Sequence, residues 1–573
     1  MTVLNRCDLA PRACLSPPGW ANLTLLECKP FMRTLTADEV REAERQALTR
    51  PGISTLALMQ RAGHAVAQFC LAHFKFSSVC VVCGKGNNGG DGFVAAEALR
   101  EVAGNVSVIV LAKDAGDLSP DAAAMCSRLT VQPIWVASEG EFQNGKIRNT
   151  LGGADLIIDA IVGTGFKPPL RGLAGKAVEA INEALGTVVA VDLPSGVDAD
   201  RKTPLHKTDD DVVFAHGIVT FIAPKPAHVL GELTTGPIAV SELGIQPVLI
   251  PNQSGLEVTT GQEAGITFPP RLQDANKGQF GHVLVIAGSV GKSGAAVLSG
   301  LAALRTGAGL VTVACPKSIQ PTVAGFAAEL MTEPLPETAE GTISLAAANR
   351  VDSLLTGKDV IVLGPGLSRN EETATFVRQL VTRSKLPLVL DADGLNAFAG
   401  HYQELKVSSG NFVALTPHPG EAARLIGSST KDIQTDRLET ARRISRETAA
   451  CVVLKGSRTI VAGASGESWI NMTGNPALAK GGSGDVLSGI VGAALARHDT
   501  HPTAQSGKEE KAKLFLKDAS VAAAVYLHGL AGDVARDMLH ENTVLATDLL
   551  DSLSESFRDC ELQMDRGLFY LQK

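Results

Sequence analysis

Apolar and polar positions along this chain alternate between short runs with strand character and longer stretches with a helical period. Thr36-Ala-Asp-Glu39 is a capping box and predicts a helix to about Leu48, ended by Pro51-Gly52. Leu58, Ala62, Ala65 and Phe69 share one face of a second helix, from about Ser54 to Phe74. Apolar runs predict strands at Val79–Cys83, Val106–Leu111, Leu156–Ile161, Thr187–Val191, Val219–Phe221 and Ile238–Val240, with a helix at Phe93–Arg100. Leu243–Pro270 has no period and carries four prolines, so it reads as a linker. A second series follows it, with strands at His282–Ala287, Leu310–Ala314, Val360–Leu363, Leu388–Asp391, Phe412–Leu415 and Cys451–Leu454. Thr459–Ala462 and Glu467–Ile470 read as a hairpin pair, and helices are expected at Gly294–Thr306, Asp485–Arg497 and Leu514–Met538. Strands alternating with helices mean α/β architecture, parallel sheets covered on both faces. The expected division is a leader at 1–31, a first domain at 32–245, a linker at 246–270, a second domain at 271–555 and a tail at 556–573.

Composition narrows the partners. The chain has 573 residues, 45 % hydrophobic and 20 % charged, with 58 Gly and only 4 % aromatics. A net charge of −8 gives no basic field for nucleic acid or an anionic membrane, and no apolar run of membrane-spanning length stands out. The 10 cysteines are scattered. Cys80 and Cys83 form a C-x-x-C without the second pair a zinc site needs, so they read as small hydrophobes in a buried strand. Scattered thiols fit a reducing, cytoplasmic setting.

The polar clusters follow strands, where open α/β sheets bind ligands. In the second half, Asn475–Gly489 (NPALAKGGSGDVLSG) sets a glycine-rich turn before an apolar helix. Gly481, Gly482 and Gly484 let the backbone approach a ligand closely, and a helix start favours anions. Asp485 stands where a phosphate would arrive; alone it reads as an N-cap, but one cap does not need so much glycine in front of it. GSVGKSG lacks the first glycine of a Walker motif, Ile286 standing in its place, so Lys292 is a surface or ligand-rim lysine and not a phosphate-loop lysine. His418, between two prolines, is either a packed turn residue or a ligand-facing one. In the first half, GKGNNGGDG has the form of a dinucleotide turn, yet Asn87, Asn88 and Asp91 add side chains to it. Oxygens of Asn88, Asp159 and Ser195 would suit a hard cation, which leaves Asp192 as an acid–base candidate.

GKGNNGGDG, DAIVGTG, DLPSG and APKP together resemble the epimerase domain of NAD(P)H-hydrate repair enzymes over about Arg33–Gly244. AGSVGKSGAA, AALRTGAGLV, DADGLN, TPHPGE and GGSGD resemble the ribokinase-like dehydratase domain of the same enzymes over about Leu272–Ser552. Departures are small: Ala227 stands where glycine is frequent, and Ser483 where threonine is. The resemblance implies a Rossmann-like first domain and a ribokinase-like second domain. It implies that Asn87, Asn88, Gly89, Gly90, Asp91, Gly163, Thr164, Gly165, Phe166, Lys167, Pro168, Pro169 and Asp192 contact the hydrated nicotinamide cofactor. Asn88, Asp159 and Ser195 would hold K+, and Asp192 and Lys225 would move protons. In the second domain Ala295, Gly366, His418 and Asp485 would face the hydrate. Lys455, Gly456, Ser457, Arg458, Thr459, Gly482, Ser483 and Gly484 would face ADP or ATP with Mg2+.

The implied activity is exchange of the R and S hydrates, then dehydration of the S form at the expense of a nucleotide. Fused versions resemble the bacterial and archaeal type, which implies ADP over ATP. A homo-oligomer is expected. Two other functions remain open on sequence: a ribokinase-like kinase of a small alcohol or vitamin precursor, and a nucleotide-sensing interaction protein. The sensor would dispense with Asp485 and Asp192, and both are present.

Overall fold

The computed structural model describes residues 32–143, 145–205, 209, 211–245, 254–500, 510–562 and 567–571. The expected leader at 1–31 lies outside them. Two sheets organise the chain. One has eight parallel strands in the order Leu568–Tyr570, Ile238–Ser241, Gly217–Phe221, Thr187–Val191, Leu156–Ala160, Ser78–Cys83, Asn105–Val110, Ile134–Trp135. The other has eleven: Met32–Arg33, Leu256–Thr259, Ser468–Asn471, Ile460–Ala462, Cys451–Leu454, Val413–Leu415, Leu388–Leu390, Val360–Leu363, His282–Ile286, Leu310–Pro316, Met331–Leu335. Its last seven strands are parallel; Ile460–Ala462 and Ser468–Asn471 form the expected antiparallel pair. Helices cover both sheets on two sides, so the α/β reading stands.

In each sheet the strand order reverses once near the middle. Ser78–Cys83 lies between Asn105–Val110 and Leu156–Ala160, and His282–Ile286 between Leu310–Pro316 and Val360–Leu363. Loops leaving the carboxyl ends on either side of such a reversal open a crevice where ligands bind. Asn88 and Asp159 belong to the strand ends at the first reversal, and Ala295 and Gly366 follow the strands at the second.

The two halves are interlocked. Leu256–Thr259 and the helix Gly261–Thr267 occupy the stretch expected to be a linker, and that strand joins the second sheet beside Ser468–Asn471. The linker expectation fails because the strand is short and wholly buried, so it shows no alternation, and its prolines lie outside it. Met32–Arg33, at the start of the expected first domain, pairs antiparallel with Leu256–Thr259 in the second sheet. The expected tail holds Leu568–Tyr570, which pairs with Ile238–Ser241 in the first sheet. An apolar cluster runs through the seam, joining Ile218, Leu230, Leu233 and Val240 to Leu284, Leu390 and Ile460.

Two helices differ from expectation in a way that matters. The helix expected at Phe93 begins at Asn87, so most of the glycine loop lies in its first two turns. The helix expected from Leu514 runs Glu510–Met538. By length and composition its Ala512–Met538 part could cross a membrane, contrary to the sequence reading, but 78 % of its most apolar window is buried. It packs on Ser483–Thr500 and Ala546–Glu561 and so acts as a core helix here. Cys80 and Cys83 are buried and free, as expected of strand hydrophobes.

Candidate functional sites

The first site forms where the strands Leu156–Ala160, Thr187–Val191 and Gly217–Phe221 end. Asp192 has φ 66°, a left-handed conformation unusual for a residue with a side chain. His228 holds it there. Its Nδ1 accepts the Lys225 N–H at 2.9 Å and its Nε2–H donates to the Asp192 carbonyl at 2.8 Å. Burial pushes the imidazole down to about 4, which keeps it neutral for both bonds. Lys225 Nζ donates to Asp192 Oδ1 at 2.6 Å, to Thr220 Oγ1 at 2.8 Å and to the Phe221 carbonyl at 3.1 Å. Asp192 Oδ2 accepts from the N–H of Thr164 at 2.8 Å and also from its hydroxyl. Burial alone would raise the Asp192 carboxyl; the Lys225 ammonium and these hydrogen bonds hold it at about 2. A buried, fully bonded ion pair therefore stands at the base of the site.

Beside it, Ser195 Oγ donates to Asp159 Oδ1 at 2.6 Å, and the Ser195 N–H to Oδ2 at 2.8 Å. Among the described residues no cationic side chain pairs with Asp159, and burial raises its carboxyl to about 6 in spite of these bonds. Asn88 lies beside Gly163 and Asp192. A Cβ placed on Gly163 would meet Asn88 Oδ1 at 3.0 Å and Asp192 Oδ2 at 3.1 Å. The Asn88 amide nitrogen is buried without a partner. Asn87 accepts from Ser119, while Lys167 pairs with Asp198 and Asp200 at the rim. Burial, with Asp192 and Glu44 nearby, pushes Asp91 well above its ordinary range. The arrangement brings Asn88, Asp91, Asp159, Gly163, Thr164, Asp192, Ser195 and Lys225 together.

The second site forms around Lys455, at the end of Cys451–Leu454. Its Nζ donates to Asp391 Oδ1 at 2.9 Å and lies 3.7 Å from Glu421. Thr416 donates to the same Asp391 oxygen at 2.7 Å. Burial alone would lower the Lys455 ammonium; Asp391 and Glu421 reverse that and hold it above its ordinary value. A Cβ on Gly484 would meet Lys455 Nζ at 3.4 Å, so the ammonium faces the glycine turn. That turn enters the helix Ser483–Thr500 through Gly482 at φ 93°. Asp485 is the third residue of the helix, not its N-cap, so its side chain is not committed to capping. Burial and the charges of Asp391, Asp393 and Glu421 raise Asp485 to about 7, against the pull of Lys455. Of the first-turn amides, Ser483 donates to the Lys480 carbonyl at 3.4 Å and Val486 to the Gly482 carbonyl at 3.1 Å, which leaves those of Gly484 and Asp485 for an anion. His528 donates from Nε2 to the Ser483 carbonyl at 3.0 Å and fixes the turn from behind.

His418 is half-exposed and is itself the N-cap of Pro419–Ile426. Its Nδ1 accepts from Gly420 and Glu421, and its Nε2 lies 3.4 Å from Glu421 Oε1. Gly366, at φ 65°, abuts Ala295, whose Cβ would lie 3.0 Å from an added one. Lys292 pairs with Asp393 at 3.1 Å, which fits a rim lysine. Ser457 and Arg458 lie farther out along the strand-end loop, toward the seam between the two halves.

Sequence reasoning missed Thr220 and His228 in the first site, and Asp391, Thr416, Glu421 and His528 in the second. Two had signals. His228 lies three residues after Lys225, the spacing of a capping box, and Glu421 lies three after His418. Thr220 and His528 are single polar residues within apolar runs and gave none.

Comparison with known proteins places each half. Residues 283–555 match the family described as NAD(P)H-hydrate dehydratase, and residues 55–227 the family described as YjeF-related protein N-terminus. The bifunctional NAD(P)H-hydrate repair enzyme Nnr of Moorella thermoacetica is 38 % identical over 544 residues, covering 93 % of this chain and 98 % of that protein. Its Escherichia coli K12 namesake is 34 % identical over 524 residues, covering 90 % and 92 %. Among solved structures, the ADP/ATP-dependent NAD(P)H-hydrate dehydratase of Bacillus subtilis, co-crystallised with ATP/Mg2+, is 30 % identical. It covers 53 % of this chain and 98 % of its own, with a TM-score of 0.45.

Proposed function

The chain belongs to the family of bifunctional NAD(P)H-hydrate repair enzymes, and from that premise we propose which residues carry each activity. The first site exchanges the R and S hydrates. Asp192 and Lys225, already joined by a hydrogen bond, are its acid–base pair, and Gly163–Pro169 with Asn87–Asp91 hold the hydrated ring and its nucleotide. Asn88, Asp159 and Ser195 fit a potassium ion. Their donors are oxygens, and the buried Asp159 carboxyl has no cationic partner among the described residues. A cation there would offset the cost of burying Asp159 and hold Asn88 beside Gly163.

The second site dehydrates the S hydrate. The observation that carries this is Asp485, held near neutrality within the first helical turn behind Gly482–Gly484. A base works best with a pKa near the working pH. Asp485 takes the proton of the ring hydroxyl, whose oxygen attacks the terminal phosphorus of ADP or ATP. One P–O bond forms and the bond to the departing nucleotide breaks. First-turn amides and Lys455 stabilise the charge on the transferring oxygens. The ring nitrogen lone pair then expels phosphate, and loss of a proton from the neighbouring ring carbon restores the double bond. Ala295, Gly366 and His418 line the hydrate side, and the 455–459 loop the nucleotide side. Among the described residues no cluster of three or more His, Cys, Asp or Glu is arranged to hold a metal. Mg2+ would enter with the nucleotide, whose phosphate charge it would neutralise.

The test is conversion of an R/S mixture of NADHX with ADP or ATP, followed by chiral-resolving chromatography. Asp485→Asn should stop dehydration and leave R/S exchange; Asp192→Asn should do the reverse. If each variant lost both activities equally, the two-site assignment would fall.

A further inference from the structure

Glu232 belongs to the first half of the chain but acts on the second. It follows the short helix Pro226–Leu230, whose N-cap is Lys225, and has φ 48°, a left-handed conformation that costs energy for a residue with a side chain. Its neighbours Leu230 and Leu233 are buried in the apolar cluster that joins the two sheets, which fixes where its carboxylate can reach. That carboxylate accepts the hydroxyl hydrogen bond of Ser457, in the loop after Cys451–Leu454. The same loop is shaped by Arg437, which donates to the carbonyls of Leu454 at 3.2 Å, Lys455 at 3.3 Å and Ser457. Arg437 is largely desolvated, and Glu232 supplies the negative charge that acts on it. Glu232 also acts on Arg458, together with Asp533. The Nε–H groups of both arginines are buried without a partner. The loop is therefore built around guanidinium groups that its own half compensates incompletely.

We propose that Glu232 is a positioning residue for the nucleotide loop 455–459, so that the hydrate-exchanging half supplies part of the nucleotide site of the dehydrating half. This rests on the assignment of that loop to the nucleotide. Glu232 touches neither phosphate nor hydrate. It fixes Ser457 and balances Arg437 and Arg458, so the loop is already in place when ADP or ATP arrives. The effect belongs in nucleotide binding and not in the chemical step.

The experiment is steady-state dehydration of S-NADHX by the full chain, with ADP and ATP titrated in Mg2+. Glu232→Ala should raise the nucleotide KM about three- to tenfold, the scale of one lost charge-assisted hydrogen bond, while kcat changes less than twofold. Glu232→Asp should recover part of the loss, and Glu232→Ala with Ser457→Ala should be no worse than the more affected single variant. Gly456→Val is the control. Gly456 has φ 145°, and a Cβ there would meet Arg437 Nη2 at 2.8 Å, so the loop itself is disturbed. A raised KM in Gly456→Val with an unchanged KM in Glu232→Ala overturns the inference and leaves the loop assignment standing. An unchanged KM in both removes the assignment and the inference with it. A fall in kcat alone in Glu232→Ala also overturns it.

Discussion

Lys225 Nζ lies 2.6 Å from Asp192 Oδ1, and the lysine side chain is 1 % exposed. Removing one member of such a pair strands the other charge without solvent, which costs about 3–5 kcal/mol. Asp192→Asn should therefore lower thermal stability as well as slow R/S exchange by about 10²–10⁴-fold, the usual contribution of an acid–base group. Lys225→Met should strand Asp192 in turn, whereas Asp192→Asn with Lys225→Met should recover stability but not exchange. The sign of the pH effect is set by the depressed carboxyl. Its stabilisation is complete above the unfolded value of 3.8 and is lost as pH falls through about 2. Thermal melts of the three variants beside the chiral assay test this; a double variant no more stable than the singles would count against the pair.

Asp485, raised to about 7, sets the pH dependence of the other activity. Its basic form accepts the hydroxyl proton, so dehydration should rise with pH and level off above about 7. Exchange at the first site should not share that inflection. Asp485 also titrates above its unfolded value. The native state therefore holds the proton more tightly, and stability falls as pH rises from about 4 through 7. Asp485→Asn removes that cost, so the variant should gain stability over the parent at pH 8 and gain little at pH 4. Calorimetric melts at the two pH values check the sign.

The sequence showed the parts of the two sites that follow strands and lie in glycine turns. Asp159, Asp192 and Asp485 could be picked out because each ends an apolar run or opens a helix at a glycine-rich stretch. The roles of their neighbours could not. His228 holds Asp192 in its left-handed conformation, and Asp391 orients Lys455, through contacts between segments 36 and 64 residues apart. No local pattern carries such contacts. The seam was invisible for another reason. Met32–Arg33, Leu256–Thr259 and Leu568–Tyr570 span two to four residues each, too short for a period to register. All three join edge regions of the sheets, and two of them cross into the other half.

That crossing predicts a long-range effect of a short truncation. Leu568–Tyr570 adds a parallel strand to Ile238–Ser241, and Leu568 is buried. Ending the chain after Leu562 leaves Ile238–Ser241 as an exposed edge and removes on the order of 3 kcal/mol of apolar burial and hydrogen bonding. R/S exchange should be the activity lost first on heating, although the deletion lies beyond the dehydrating half. Activity half-lives of the truncated chain at raised temperature, measured for both reactions, check this. Faster loss of dehydration than of exchange would contradict it.

The Asp159 site predicts a cation effect that can be seen without turnover. Asp159 is buried, accepts three hydrogen bonds from Ser195 and Ile161, and still titrates at about 6. An ion bound by Asp159, Asn88 and Ser195 prefers the ionised carboxylate. At constant ionic strength, replacing tetramethylammonium by K+ should therefore raise the melting temperature at pH 7.5. The gain should fade as pH falls through about 6, because protonated Asp159 no longer attracts the ion. Asp159→Asn should abolish the gain at every pH. Asn88→Ala should reduce it, since the loss of one neutral oxygen weakens the site without removing its charge. Li+ should substitute poorly if the oxygens are spaced for the larger ion. The control is Asp485→Asn, whose melting temperature should respond to K+ as the parent does. A K+ effect of equal size in Asp159→Asn would show that the ion acts elsewhere on the chain.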